Sequence, residues 1–539
     1  MKAHLLACFF LVVGIFAFGL NLHLLPLWAD EPIRALVSFH MLLDHNWLNP
    51  HLNGLPYLNK PPLYNWLLAL FIKIFGTKEW VIRLPSYIAI LGFSAQLYFL
   101  GLKIYQNKVK AILLGASLLI SGNFLVFSSL LGHIDIPFSW LVFNQIYWSF
   151  YFLKRKKYRQ IFAFSYLFCG IGFMMKGLPS LVFQSISLFT LFFGGKQFKK
   201  IFKPEHFLFF GLFTLAIIGY FWFFSLNGSL VDLMHVLFKE SSQRTMVNKT
   251  LWQTIKHLVE FPFKILVDFL PSIFLTFFFF GKKFRHKFRT SDHALLAWVA
   301  LFNLFPYWLS PDYRARYVFA LLPLLCIPII EAMDLSLFRS RILKKALFTL
   351  LIIVFFLLLC GSLGHPVYSM NPVNYQIALL MMLIFWGSYL YYFRNGHVLM
   401  DLVMFFLMGK LFLNVFALPL RKSHISMPSE KLLAKRIAEI TKNKELEMMN
   451  CNIELSMNWY ITTLRNQPTK TRTENFDTVR FYIVPEDIIR YPEDVTYYLR
   501  FVRKFENKKM ALVKFKKLRH KQSKVVENEN EEPRYYLNQ

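Results

Sequence analysis

Long apolar stretches follow one another along most of this 539-residue chain and restrict the folds it can adopt. Apolar residues make up 56% of the sequence, including 61 phenylalanines, which is more than an ordinary soluble domain contains. A window of about 20 apolar residues is long enough to cross the hydrocarbon core of a bilayer as a helix. The sequence therefore predicts a polytopic α-helical membrane protein.

About thirteen such windows are present, and we expect each to form a transmembrane helix. They lie at residues 4–24, 81–102, 109–130, 134–153, 159–175, 177–194, 205–226, 263–281, 292–310, 315–335, 343–363, 373–393 and 397–418. Basic clusters fall in alternate loops between them, as the positive-inside rule requires of cytoplasmic loops. The rule predicts a cytoplasmic N-terminus, and it puts loop 25–80 and the chain after residue 421 on the outer face.

The formal net charge of +30 is explained by basic clusters that orient the chain in a membrane. Basic residues come in short clusters between apolar runs, which is the pattern that orients membrane proteins. We therefore expect no nucleic-acid partner. Membrane lipids should surround the chain, and we expect it to act as a monomer.

Polar residues that suit chemistry converge on the predicted outer face from five loops. They are Asp30, Glu31, Lys60, Asp135, Lys176, Arg244, Arg314, Arg316 and Tyr317. Ionisable groups this close to a bilayer are costly unless they are solvated, paired or used. Any one of them is as often merely solvated as functional, but their convergence favours a site at this face.

The first outer loop, residues 25–80, has predicted structure of its own. Residues 31–43 and 61–75 carry apolar side chains at helical spacing, which predicts two amphipathic helices lying in the membrane interface. Pro61 and Pro62 fix the backbone after Lys60, so its ammonium should be presented from a rigid turn. The aromatic residues of this loop fit an interfacial belt at least as well as a stacking surface for substrate.

The chain becomes polar and lysine-rich after residue 420. Helical periodicity at 429–440, alternation at 479–484 and a hairpin pattern at 497–515 predict a small α/β domain. We divide the sequence into a transmembrane domain at 1–420, a soluble domain at 421–518 and a tail at 519–539. The tail contains Glu and Asn runs and is predicted to be disordered.

Four sequence blocks, taken in order, resemble the GT-C glycosyltransferases. The blocks are Asp30-Glu31, the run from Asn53 to Trp66 with Lys60-Pro61-Pro62, Arg83-Leu84-Pro85, and Gly132-His133-Ile134-Asp135. The resemblance is to the branch that contains the lipid A aminoarabinose transferases and the dolichyl-phosphate-mannose protein mannosyltransferases. It continues through Met175 to Pro179, Glu240 to Arg244, His257 to Pro262 and Arg314 to Pro323. Its most specific part is the presence of the Asp-Glu and Lys-Pro-Pro blocks in one outer loop.

The resemblance implies a GT-C fold that transfers a sugar, with inversion, from a polyprenyl-phosphate donor to an acceptor at the outer face of the bacterial inner membrane. It implies Asp30 as the base that takes the acceptor proton. It implies Lys60 as the cation that stabilises the departing phosphate. The further phosphate ligands that it implies are Tyr57, Arg244, Arg316 and Tyr317. The residues assigned to the sugar or the acceptor are Glu31, Asp135 and Lys176.

One position departs from the aminoarabinose-transferase pattern, which has an acidic residue just before the lysine of Lys-Pro-Pro. Asn59 stands there, and an amide is a poorer ligand for a divalent cation than a carboxylate. The sequence thus leaves both the sugar and a divalent cation open, and it requires no other cofactor. The weak candidate ligands are Glu31, Asp135, His133 and His257.

Two other interpretations stay open. A transporter or lipid flippase would also be polytopic and basic, but we see no internal repeat, no matching pair of broken spans and no acidic relay at mid-span. A scaffold without catalysis is the second alternative. The acceptor is open as well: a lipid A-like lipid, another glycolipid, a glycan or a protein. The abundance of Phe, Lys, Asn and Ile suggests an AT-rich bacterial genome, and hence an undecaprenyl rather than a dolichyl donor.

Overall fold

A computed structural model gives the structure of the protein. It describes residues 2–242, 251–270, 282–310, 314–338, 349, 372–393, 397–419, 427–449, 451–472, 476–489, 491–503 and 507–517. The chain divides into two compact units. Unit 1 comprises Met1–Leu25, Leu58–Tyr64 and Arg83–Arg421. Unit 2 comprises Pro26–Tyr57, Asn65–Ile82 and Lys422–Gln539.

Helices dominate the described residues up to 419. They are α1 (Lys2–Gly19), α2 (Glu31–Asp44), α3 (Leu63–Phe75), α4 (Glu79–Tyr105), α5 (Lys108–Ala116), α6 (Gly122–Val126), α7 (Asp135–Lys154), α8 (Tyr158–Lys176), α9 (Pro179–Gly194), α10 (Pro204–Ser225), α11 (Leu230–Ser242), α12 (Leu251–Asp268), α13 (Lys282–Thr290), α14 (Ala294–Leu309), α15 (Leu321–Ala332), α16 (Pro372–Phe393) and α17 (Val398–Phe412). Within the described residues, α4, α10 and α17 with its extension to Ala417 are long and apolar enough to cross a membrane, and shorter apolar helices accompany them. The protein is a polytopic helical membrane protein.

Several predicted spans coincide with helices to within about two residues, which is the usual uncertainty of a helix end. The windows 134–153, 159–175 and 177–194 correspond to α7, α8 and α9. Pro179 occupies the first turn of α9, where a missing N–H does no harm. The total number of spans stays a prediction, because the window 343–363 contains only one described residue.

The window 109–130 was predicted as one span, and this is wrong. The chain forms α5, a turn and then the short α6. The N–H of Gly122 donates to the carbonyl oxygen of Leu270 at 2.5 Å. A Cβ on Gly122 would lie 2.6 Å from that oxygen. Glycine therefore permits a close approach of two backbones here, and the approach interrupts the helix.

The region predicted as outer loop 227–262 followed by span 263–281 also differs. It contains α11 and α12, and α12 begins well before the predicted span. Glu260 lies 3.7 Å from the Lys256 ammonium and 2.7 Å from the Lys264 ammonium. Pairs at this i,i+4 spacing support a helix with a polar side, which an apolar window cannot detect.

Two predicted helices begin later than expected. The interfacial helix predicted at 61–75 is α3, which begins at Leu63 because Pro62 disfavours helical backbone at Pro61. The span predicted at 315–335 is shortened to α15, since the 3₁₀ turn Ala315–Val318 precedes it. That turn carries Arg316 and Tyr317. The interfacial helix predicted at 31–43 is α2, with nearly the expected ends.

Unit 2 contains a hairpin and a five-stranded sheet. The hairpin strands are β1 (His51–Leu52) and β2 (Leu55–Pro56). The later elements are α18 (Met427–Ile440), β3 (Leu446–Met449), α19 (Leu455–Arg465), β4 (Lys470–Arg472), β5 (Phe481–Pro485), β6 (Val495–Arg503) and β7 (Lys508–Phe515). The strand order is β4-β3-β5-β7-β6. β3 runs parallel to β4 and β5, whereas β7 runs antiparallel to β5 and β6.

The sheet core is made by alternate side chains of the central strands. Buried members include Tyr482, Val484, Ala511, Val513 and Phe515. The helix, strand and hairpin predicted after residue 420 are present as α18, β5 and the β6–β7 pair. The sequence interpretation did not include β3, α19 and β4. The predicted tail 519–539 lies outside the described residues.

Candidate active site

Unit 1 brings three of the predicted site residues into one buried charge cluster. The carboxylate of Asp135 pairs with the ammonium of Lys176 through Oδ1. Its Oδ2 lies 3.2 Å from Nε of Arg316. Nη1 of Arg316 lies 2.9 Å from Nε2 of His133. We call Asp135, Lys176, Arg316 and His133 the charge cluster; each of the four residues is more than nine-tenths buried.

Helix ends explain why these charges can be placed here. Asp135 is the first residue of α7, where the unpaired N–H groups favour a negative side chain. Lys176 is the last residue of α8, where the unpaired carbonyls favour a positive one. The helix ends thus favour a negative charge at Asp135 and a positive charge at Lys176, independently of the ion pair between them.

Aromatic rings line the cation side of the charge cluster. The Lys176 ammonium lies 4.7 Å from the ring centroid of Tyr317 and 4.8 Å from that of Phe138. The guanidinium carbon of Arg316 lies 5.8 Å from the Tyr317 ring. Contacts of this kind stabilise a cation that is removed from water. The half-buried Tyr317 therefore lies beside the charge cluster, and its role as a phosphate ligand stays a prediction.

The Lys-Pro-Pro turn approaches the same cluster within unit 1. A Cβ on Gly177, the residue after Lys176, would lie 3.7 Å from Cδ of Pro61. Gly177 has φ +85, a conformation that glycine adopts without strain. Lys60 precedes Pro61 directly, so the residue before the proline that packs against Gly177 is a third cationic residue.

Tyr64 and Ser86 tie this turn to the loop that carries His133. The fully buried Tyr64 hydroxyl donates to the carbonyl of Gly132 at 3.1 Å. The Ser86 hydroxyl donates to the carbonyl of His133 at 2.8 Å. Two hydroxyls therefore hold the residues just before Asp135 against the start of α3 and against α4.

Removing the Tyr64 hydroxyl should loosen this connection. We expect Tyr64→Phe to cost about 1 kcal/mol of unfolding free energy and to lower the sugar transfer that the resemblance implies by roughly tenfold, because the Gly132 carbonyl loses its donor. The control is Tyr105→Phe, which removes a hydroxyl that donates to the carbonyl of Ile327 at 2.8 Å. Unfolding and transfer are measured in both variants. Equal loss of transfer in the two would contradict a role for Tyr64 at the site.

Asp30 and Glu31 occupy the start of α2 in unit 2. Asp30 is the N-cap residue and is half-buried, but its side chain makes no capping hydrogen bond. Glu31 is fully buried, and its Oε2 accepts a hydrogen bond from the N–H of Trp28 at 3.0 Å. Glu31 thus holds the chain at the helix start.

Arg34 is a residue that the sequence interpretation missed. It lies one turn after Glu31 and is 6% exposed, and its guanidinium carbon stands 5.4 Å from the ring centroid of Tyr57. Its Nε and Nη1 have no hydrogen-bond partner in the described part of the chain. A signal was present, because Arg34 is an arginine among the mostly apolar buried residues of α2. Buried Tyr57, a predicted phosphate ligand, is therefore accompanied by a guanidinium.

The remaining predicted residues are not drawn into the charge cluster. Arg244 lies outside the described residues. His257 is buried in α12, and its Nε2 lies 3.3 Å from the carbonyl oxygen of Tyr307. Among the described residues, no three His, Cys, Asp or Glu side chains are grouped so that they could hold a metal ion. The candidate ligands Glu31, Asp135 and His257 are accordingly not assembled as a metal site in that part of the chain.

Fold and site together define a polytopic membrane protein with a buried charge cluster next to a Lys-Pro-Pro turn. Residues 59–222 match the family model described as dolichyl-phosphate-mannose-protein mannosyltransferase. The fold is similar to that of ArnT from Cupriavidus metallidurans bound to undecaprenyl phosphate, with TM-score 0.61, 17% identity and coverage of 94% of this chain and 97% of that one. These comparisons confirm the resemblance to the GT-C superfamily that contains the lipid A aminoarabinose transferases and the protein mannosyltransferases.

Curated relatives support the same placement over a shorter region. An undecaprenyl phosphate-alpha-4-amino-4-deoxy-L-arabinose arabinosyl transferase of Proteus mirabilis is 30% identical over 204 residues, 37% of this chain and 36% of that relative. One with the same description from Pseudomonas savastanoi is 33% identical over 192 residues, 33% of this chain and 34% of the relative. The matches thus span about a third of these relatives.

Proposed function

We propose that the protein is an inverting glycosyltransferase that moves a sugar from undecaprenyl phosphate to an acceptor at the periplasmic face of the bacterial inner membrane. The proposal includes thirteen spans, a cytoplasmic N-terminus and a periplasmic C-terminal α/β domain. The names of the relatives and the ligand in the ArnT crystal support the donor class. The acceptor is a lipid A-like lipid, a glycan or a protein.

The two buried cations that meet at one carboxylate are the observation that carries this proposal. The Lys176 ammonium and the Arg316 guanidinium both lie against the carboxylate of Asp135. An ammonium and a guanidinium held together in a water-poor site suit an anionic ligand. A lipid phosphate is such an anion, and the Lys-Pro-Pro turn adds a further cationic residue, Lys60. We assign Tyr57, Arg244 and Tyr317 to the same phosphate.

The proposed reaction is a single displacement. The acceptor oxygen forms a bond to the anomeric carbon while the bond from that carbon to the phosphate oxygen breaks, and its electron pair stays on the phosphate. The acceptor proton passes to the carboxylate of Asp30. Charge grows on the leaving phosphate, so fixed cations in a water-poor site stabilise the transition state more than the ground state. We assign Asp135 and Lys176 to hold the sugar next to that phosphate, with Glu31 supporting the Asp30 segment.

A vesicle experiment separates a transferase from a flippase. The purified protein is reconstituted with a fluorescent polyprenyl-phosphate sugar in one leaflet and a lipid A acceptor. Glycosylated acceptor together with polyprenyl phosphate supports the proposal. Movement of intact donor between leaflets without any product would favour the transporter alternative.

A further inference from the structure

Asn53, in the Asn53-Gly54 turn of the hairpin, is buried in contacts that the proposed reaction does not use. Asn53 is 1% exposed and has φ 56, and Gly54 has φ 82, as a two-residue hairpin turn requires. The Asn53 carbonyl accepts the N–H of Thr471 in β4 at 2.8 Å. Its side-chain oxygen accepts a hydrogen bond from Nδ2 of Asn458 in α19 at 2.7 Å. One asparagine is thus held by a strand and a helix from the other end of unit 2.

Gly54 shows how closely the turn packs against Lys470 of β4. A Cβ at this position would lie 3.3 Å from Cβ and from Cγ of Lys470. A larger residue would therefore require the Lys470 side chain to shift by a few tenths of an ångström, besides being strained at positive φ. Asn-Gly at this turn is explained by the contact as well as by the hairpin geometry.

Two further contacts join the first loop to the C-terminal elements. The ring of Phe39, on α2, meets the ring of fully buried Trp459 at 5.8 Å between centroids, in an edge-on arrangement. The carboxylate of Glu79 accepts hydrogen bonds from Lys431 at 2.7 Å and from the Tyr460 hydroxyl at 3.0 Å. The helix that follows Asp30, the hairpin and the end of the loop are therefore all attached to α18, α19 or β4.

We propose that the C-terminal elements position the donor-binding segment, with Asn458 and Asn53 as positioning residues. The N–H of Tyr57 donates to the carbonyl of Pro50 at 2.7 Å and closes the hairpin, and the chain reaches Lys60 three residues later. A hairpin fixed at its turn restricts the start of that segment before donor binds, which lowers the entropy lost on binding. This inference rests on the proposed function for the identity of the donor.

Two variants break the Asn53 to Asn458 bond from opposite sides. Asn53→Gly keeps a residue that tolerates positive φ and removes only the side chain, and Asn458→Ala removes the donor. The control is Asn466→Ala, which replaces the exposed Asn at the C-cap of the same helix α19, with φ 52. All are made in the full chain. The measurements are binding of undecaprenyl phosphate to the purified protein in detergent and the kinetics of polyprenyl phosphate release.

We expect the dissociation constant for undecaprenyl phosphate to rise about tenfold in Asn53→Gly and Asn458→Ala, with the double variant no weaker than either. The rate at saturating donor should stay within about twofold of wild type, and Asn466→Ala should bind like wild type. Unchanged binding in both test variants would overturn the inference, as would equal weakening in the control. A further outcome is that the variants show these changes in binding while wild type releases no polyprenyl phosphate from a sugar donor. In that case the proposed transferase function fails and the positioning role stands.

Discussion

Asp135→Asn should destabilise the protein by about 3–5 kcal/mol and abolish sugar transfer, because it leaves Lys176 and Arg316 buried without their shared carboxylate. The substitution preserves the shape of the side chain, so the expected loss comes from charge. Unfolding in increasing concentrations of SDS and transfer in detergent are the two measurements.

The matched control is Asp292→Asn. Asp292 also pairs with a lysine, Lys154, at 3.4 Å, but its side chain is 86% exposed. Exposed pairs contribute little, so this variant should change stability by no more than about 1 kcal/mol. The double variant Asp135→Asn with Lys176→Met removes one uncompensated cation, and it should recover part of the stability without recovering transfer. Similar stability of Asp135→Asn and Asp292→Asn would show that the buried pair is not a structural requirement.

Asp30→Asn should reduce transfer by about 10²–10⁴-fold, which is the usual effect of losing a general base. Its affinity for undecaprenyl phosphate should stay within about twofold of wild type, because the base acts on the acceptor and not on the phosphate. Lys60→Ala should differ from Asp30→Asn by strongly weakening the binding of undecaprenyl phosphate. It should also lower the rate of transfer. Single-turnover transfer and equilibrium binding separate the two roles.

Asp44→Asn is the control for Asp30, since it makes the same substitution at the other, exposed end of α2. It should leave both transfer and binding unchanged. If Asp30→Asn and Asp44→Asn transferred sugar at the same rate, Asp30 would not be the base. If Asp30→Asn lost phosphate binding instead, its role would lie in holding the donor.

The sequence was sufficient for features that depend on local patterns. The apolar windows fixed α7, α8 and α9, and the helical spacing after Asp30 fixed α2, because burial of an apolar face repeats along a single element. The break between α5 and α6 was missed because its cause is Leu270, far along the chain, which meets the backbone at Gly122. A sequence window around Gly122 does not include Leu270, so it cannot indicate this contact.

In the candidate site, too, the sequence indicated individual residues but not the contacts between distant parts of the chain. Asp135, Lys176, Arg316 and Tyr317 were named from outer loops and a resemblance, but spacing could not show that one carboxylate joins both cations. Arg316 and His133 are separated by 183 residues in sequence. The hydrogen bond between Asn53 and Asn458 joins residues that are 405 apart in sequence, so it depends entirely on tertiary packing. Arg34 was passed over because a single arginine in an amphipathic helix is ordinary until its burial is known.

The central claim is that a sugar leaves undecaprenyl phosphate and is joined to an acceptor. The most direct measurement is to incubate purified wild-type protein with undecaprenyl-phosphate sugars and acceptor lipid, and to quantify both released undecaprenyl phosphate and glycosylated acceptor by mass spectrometry. We predict that the two products form in equal amounts, and that Asp30→Asn and Lys60→Ala form neither at a comparable rate. Absence of both products with wild type, or equal product formation by all three proteins, would contradict this account.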